Sequence, residues 1–194
     1  MIAAYARGPF ARLERMPRRL DPLSELALLA AAAVVNEPRD CGLYVGCAEG
    51  APAQTRAYLK RLEDKGGHFV NPIDFPNLLL SAPAANVSIH LGLQGAVVTF
   101  NQGPLSGFHA LAAACEALEN GRVKSAIVLE LEASDATALR VTKDEAKAGD
   151  LVIKEVYLGN APEGREGTLA HLDEGIVRTV SEEHGVAGVR LERR

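Results

Sequence analysis

Residues Thr99–Arg122 read TFNQGPLSGFHALAAACEALENGR, and two periodicities meet in them. The run GAVVTF, Gly95–Phe100, is continuously apolar and predicts a strand buried on both faces. Asn101–Pro104 form a tight, glycine-containing turn. Beyond it Phe108, Leu111, Ala112, Cys115 and Leu118 recur at helical spacing on one face, until Asn-Gly-Arg closes the helix. A further apolar strand follows at Lys124–Glu132. Strand, turn, helix, strand is the unit of a layered α/β fold.

The same alternation extends upstream. Asp21 stands as a helix cap before Pro22 and opens a buried, alanine-rich helix to about Asn36. Cys41–Cys47, CGLYVGC, is a short apolar strand. A second helix begins near Ala51 and stops at Gly66 and Gly67, with Leu59 and Leu62 turned to the core and Arg56, Lys60 and Arg61 to water. Asn71–Asn77 is a proline-punctuated loop, and a third helix covers roughly Ala84–Gly92. Downstream, Ser134–Asp150 reads as a polar surface excursion and Leu151–Gly159 as a strand. Thr168–His184 reads as a helix, and Val186–Arg193 as a last edge strand.

The chain has 194 residues, 47% of them apolar, enough for one core and one domain. Its net charge of −4 gives no footprint for nucleic acid. The longest apolar run, Ala27–Val35, is too short to cross a bilayer, so no membrane partner is expected. Five arginines in the first 19 residues suggest a partly exposed edge segment, with a basic surface for an acidic carrier protein as the sharper reading. The three cysteines, Cys41, Cys47 and Cys115, include no CxxC pair, which fits a reducing cytosol and argues against disulfides or zinc.

Candidate chemistry is sparse. Cys115 lies within an apolar stripe and reads as packing, and Cys47 has no identifiable base. No two of the five histidines share a metal-type spacing, and His109 reads as a solvated or partner-facing helix residue. Glu130 and Glu132 share one face of a strand, as an acid–base pair, a solvated edge or an inter-subunit salt bridge. Gly42, Gly46 and Gly50 have the wrong spacing for a dinucleotide fingerprint. Gly103, Ser106 and Gly107 miss the GxSxG pattern, which leaves Ser106 as a helix cap.

Read in order, NPIDFPNLLLSAPAANVSIHLGLQG (Asn71–Gly95) and AVVTFNQGPLSGFHALAAACEALENGRVKSAIVLELE resemble the N-terminal half of β-ketoacyl synthases. Those enzymes show an Asn/Ser-Pro, Phe-Pro-Asn, an Asn-Ala-Pro-Ala helix start, Ile-Ser-Ile and Gly-Leu-x-Gly-Pro. A buried strand, Cys-x-Ser-Gly at a helix start and a Gly-Arg follow. The resemblance covers roughly Asp21–Glu132 and implies a thiolase-like half: layered α/β, with a mixed central sheet flanked by helices. Residues 133–194 would be a divergent C-terminal cover, a strand and a helix folded back on the sheet.

The departures matter as much. Aligning Ser106-Gly107 with the family's Ser-Gly puts Pro104 at the cysteine position. The family's His-Gly-Thr-Gly-Thr and Lys-x-x-x-Gly-His motifs are missing. Condensation needs that thiolate and those imidazoles, so no catalytic residue is expected, nor any cofactor or metal. The resemblance instead implies a chain-length-factor-like, cytoplasmic subunit of type II polyketide, aryl polyene or fatty-acid-type synthesis. It would pair as a heterodimer with an active ketosynthase, meet acyl carrier protein through the complex, and shape the acyl tunnel. Phe100, Asn101, Gln102, Pro104 and Phe108 are the interface or tunnel candidates. The alternatives are a thioester hydrolase or malonyl decarboxylase using Ser106, His109 or Cys47, and a homodimeric acyl-binding scaffold.

Overall fold

The computed structural model describes all residues except Ile73, Asp173 and Glu174, with Tyr5 described for its backbone only. The strands are β1 (Ile2–Arg7), β2 (Cys41–Cys47), β3 (Val97–Phe100), β4 (Ser125–Leu131), β5 (Ala136–Thr142), β6 (Leu151–Leu158), β7 (Arg165–Glu166), β8 (Gly175–Ser181) and β9 (Gly185–Arg193). The α-helices are α1 (Pro22–Val34), α2 (Pro52–Lys65), α3 (Ala82–Leu91) and α4 (Ser106–Glu119). All strands join one mixed sheet in the order β3-β2-β4-β5-β1-β6-β9-β8-β7. β3, β2 and β4 run parallel, and β4, β5, β1, β6, β9 and β8 alternate in direction.

Strand alternation divides the core in two. Leu43, Val45, Ile127 and Leu129 face α1 and α3, whereas Tyr44, Ala126 and Val128 face α4. Asp21 opens α1 by accepting from the Leu23 and Ser24 backbone N–H groups, both at 3.0 Å. Ala27, Ala30 and Ala31 are fully buried, and such small side chains let α1 pack closely against its neighbours. Asn86 of α3 donates to Ser24 Oγ at 3.0 Å and ties the two helices together.

Several local expectations are corrected. Ser134–Asp150 contains β5, whose Ala136, Thr137, Ala138, Leu139 and Val141 are buried. Its short, partly polar residues hide a strand whose Ala136 and Ala138 pack in the cluster with α1 and whose Leu139 and Val141 pack in the cluster with α4. The arginine-rich start divides: Ile2–Arg7 is no edge, because β1 lies mid-sheet between β5 and β6, whereas Arg12, Arg15, Arg18 and Arg19 beyond it are exposed. Thr168–His184 is not helical. Leu169–His171 make one 3-10 turn, Gly175–Ser181 form β8, and Asp173 and Glu174 lie outside the described residues. β9 is interior, between β6 and β8, rather than an edge. β3 is the reverse case: it is the sheet's outer strand, and Val97 is 42% exposed. The expectation that Leu59 and Leu62 face a core also fails, because α2 has no buried residue.

The C-terminal cover is therefore strands, not strand and helix. Leu151, Ile153, Val177, Ala187, Val189 and Leu191 share one apolar cluster with Phe108, Leu111 and Cys115 of α4. The sheet curls around α4, so its C-terminal strands cover the helix surface that β2, β4 and β5 leave open. A helix apolar on most of its circumference needs such two-sided cover.

Candidate functional site

The site is the turn between β3 and α4. Gly103 sits at φ 51°, in the left-handed region that glycine alone enters freely. Ser106 is not the helix cap expected of it. Its Oγ accepts from the Gln102 backbone N–H at 2.9 Å and donates to the Gly103 carbonyl at 2.6 Å, so the hydroxyl clamps the turn. Asn101 Nδ2 donates to the Cys47 and Ala48 carbonyls, at 2.8 and 2.7 Å, and ties the turn to the end of β2. A side chain at Gly46 would overlap the Ser106–Gly107 backbone, and one at Gly107 would overlap Glu130. The start of α4 thus lies directly on β2 and β4.

The expected residues separate by exposure. Asn101, Gln102 and Pro104 are exposed, and Phe100 is half-buried. Phe108 is fully buried in the core. Pro104 borders a cavity of ≈ 370 Å³ with Ala48, Glu49, Leu131 and Glu132, at the carboxyl ends of β2 and β4. A larger cavity of ≈ 610 Å³ lies away from this turn, between the start of α1 and α2, so size alone does not mark the site.

The turn itself, Asn101–Leu105, contains no thiol. Burial pushes the thiols of Cys41 and Cys47 up, and that of Cys115 up to about 12. All three cysteines are free and buried. His109 stacks on Phe100 with centroids 6.4 Å apart, and burial lowers its pKa. It is half-buried rather than fully solvated. Among the described residues, no three His, Cys, Asp or Glu side chains converge as a metal would require. No helix among them is long and apolar enough to cross a membrane.

Two more residues bear on the turn: His184, whose place the sequence did not signal, and Glu130, which the sequence singled out but placed differently. His184, in the turn between β8 and β9, packs its imidazole over Gly103, where any side chain would overlap it. Glu130 is neither a solvated edge nor half of an exposed pair: it is 7% exposed beneath α4, while Glu132 is exposed. Its carboxyl pKa is raised to about 7, first by burial and then by Glu132, against hydrogen bonds from Thr168, Ala170 and Leu169. Sequence separation concealed both contacts, because only the curl of the sheet brings the C-terminal strands back to the turn.

Known structures share this architecture. The ishigamide ketosynthase/chain length factor aligns with a TM-score of 0.61 at 20% identity, over 71% of this chain and 48% of that one. A type II polyketide ketosynthase with its acyl-carrier protein and bound hexaketide, AntDE:AntF, gives 0.57 at 17% identity, over 64% and 46%. The ketosynthase ApeO in complex with its chain length factor ApeC, from Xenorhabdus doucetiae, gives 0.65 at 14% identity, over 94% and 84%. The chain thus spans about half the length of the first two. Comparison with curated protein sequences yields no match. Residues 9–137 match the sequence profile described as Beta-ketoacyl synthase, N-terminal domain. That match spans well over half of the 194 residues and contains β2, α4 and the turn between β3 and α4, so the chain belongs to this β-ketoacyl synthase family.

Proposed function

We propose that this protein is a catalytically inactive, chain-length-factor-like subunit. It pairs with an active β-ketoacyl-ACP synthase, in type II polyketide, aryl polyene or fatty-acid-type synthesis, and shapes the acyl tunnel of that complex. It acts as one ketosynthase-like domain, with residues 21–132 as the family frame and 133–194 as its cover. Acyl carrier protein reaches it through the complex, in the cytoplasm.

The observation that carries this reading is a well-built turn with proline at its exposed tip and no thiol of its own, while burial raises the pKa of the Cys47 thiol behind it. The Ser106 hydroxyl and the Asn101 amide are spent on architecture: Ser106 holds Gln102 and Gly103, and Asn101 holds β2. Such a turn keeps a shape without doing acyl transfer.

The outer surface supports a partner. β3 bonds only to β2, and an open strand edge is a template for pairing with another chain. Leu59, Leu62, Phe69, Phe75, Leu79 and Leu80 are exposed along α2 and the segment before α3, and Ile89 of α3 is 72% exposed. Apolar surface on this scale marks an interaction site. The near end-to-end likeness to a chain in the ApeO–ApeC complex, a ketosynthase with its chain length factor, also supports this reading.

The test is condensation by a cognate ketosynthase with and without this chain. The reading expects elongation to depend on the added chain, and the chain alone to be inert on malonyl- and acyl-carrier-protein substrates. Turnover by the chain alone, abolished by changing Ser106, His109 or Cys47, would establish a thioester-acting enzyme instead.

A further inference from the structure

A helix that buries nothing usually lies against water, yet α2 borders a hollow. None of its residues is buried. Gln54, Tyr58 and Arg61 share one of its faces, at helical spacing, and line the cavity of ≈ 610 Å³ between α2 and the start of α1. Arg19 and Asp21, just before α1, line it too, as does Asn77 beyond α2. Tyr58 is held in place by Phe75, with ring centroids 6.4 Å apart. Voids left by loose packing are apolar, whereas this lining converges guanidinium, amide, phenol and carboxyl groups. The volume is that of a small-molecule site.

Two of these side chains are incomplete as they stand. Arg19 holds φ 68°, in the left-handed region where any side chain is strained and glycine is not. Its guanidinium nevertheless has no hydrogen bond or ion pair among the described residues. Asp21 is 7% exposed, and its Oδ1 is occupied by the N–H groups of Leu23 and Ser24. Its Oδ2 is buried with no hydrogen-bond partner among the described residues. A buried carboxyl oxygen without a donor is costly. One cation lacks an anion, and one acceptor lacks a donor, on the walls of the same cavity.

We propose that this cavity binds a hydroxylated organic anion, a sugar phosphate or sugar carboxylate, whose anionic group is taken by Arg19 and Arg61 and whose hydroxyl donates to Asp21.

Each part of that ligand answers a group on the wall. The planar guanidinium fork of Arg19 matches the paired oxygens of a phosphate or carboxylate. Arg61 reaches Asp74 at 3.5 Å, a half-exposed pair that contributes little and leaves most of its N–H groups for a ligand. Two guanidinium groups and two carboxyls line the cavity, so the charges favour one anionic group on an otherwise neutral molecule. Ionised Asp21 accepts only, which calls for a hydroxyl and disfavours bare phosphate. The amides of Gln54 and Asn77 donate and accept, as sugar hydroxyls do.

The test is calorimetric titration of the whole chain with glucose-6-phosphate, glucuronate, glucose and inorganic phosphate. The first two separate the phosphate source from the carboxylate source. At least one of them should bind saturably, and more tightly than glucose or inorganic phosphate. Arg19→Gly should weaken that binding about 10- to 100-fold, the loss of a charge-assisted pair. The same variant should keep or raise the thermal midpoint, because glycine suits the backbone at this position. Asp21→Asn retains an oxygen to cap α1 and loses the second acceptor, so it should also weaken the sugar anion. No saturable binding of either sugar anion up to about 10 mM overturns the site. So does affinity unchanged in Arg19→Gly or Asp21→Asn, or glucose or inorganic phosphate binding as tightly as both sugar anions.

Discussion

At the residue scale, chemistry turns on atoms that are or are not at the turn between β3 and α4. Proline at position 104 has neither a thiol nor a backbone N–H, and the nearby thiols are buried where ionisation is disfavoured. Pro104→Cys should therefore leave the isolated chain without condensation activity, because the family's two histidine motifs are missing from its sequence. A malonyl-carrier-protein condensation assay checks this, and product from that variant without a partner would refute it. The two phenylalanines offer a contrast. Phe108→Ala should destabilise the fold by about 3–5 kcal/mol in denaturant unfolding, since the ring is fully buried. Phe100 is half-buried at the open edge and stacked on His109. Phe100→Ala should cost less stability and, in the complex, lengthen the acyl product, read by mass spectrometry. Unchanged product length would leave Phe100 a packing role only.

At the element scale, α4 is the pivot. Its first turn presses on Gly46 of β2, leaving no space for even a methyl group. Gly46→Ala should force a backbone shift and destabilise by about 1–3 kcal/mol or more, seen as a lower denaturant midpoint. Elements with strong local signals were legible in the sequence: the Asp21-Pro22 start of α1, CGLYVGC as β2, and the stripe of α4. Those that depend on distant partners were not. β5 is built from small and polar residues, and only its place between β4 and β1 reveals it as core. The stretch after Thr168 carries apolar residues at ambiguous spacing, and pairing with β9 resolves it as a strand. The burial of Glu130 and the place of His184 were hidden for the same reason: their partners lie in segments far along the chain.

At the scale of the whole molecule, the curled sheet closes the core around α4 while β3 and the α2 side remain open. Closure carries a pH signature. The Glu130 carboxyl binds its proton more firmly in the folded chain than its ordinary 4.5 would allow, with a value of about 7. Its contribution is therefore fully present below about pH 4.5 and is lost as pH rises through about 7. Glu130→Gln should remove that component from the stability–pH curve. The open side carries the central claim, that this frame serves a neighbour rather than its own chemistry. Native mass spectrometry after co-expression with a full-length ketosynthase from the same gene cluster tests it most directly. The account expects a one-to-one complex, lost when charges are placed at Val97 and Ile89. A chain that never leaves the column with the ketosynthase, at any ratio, would contradict it.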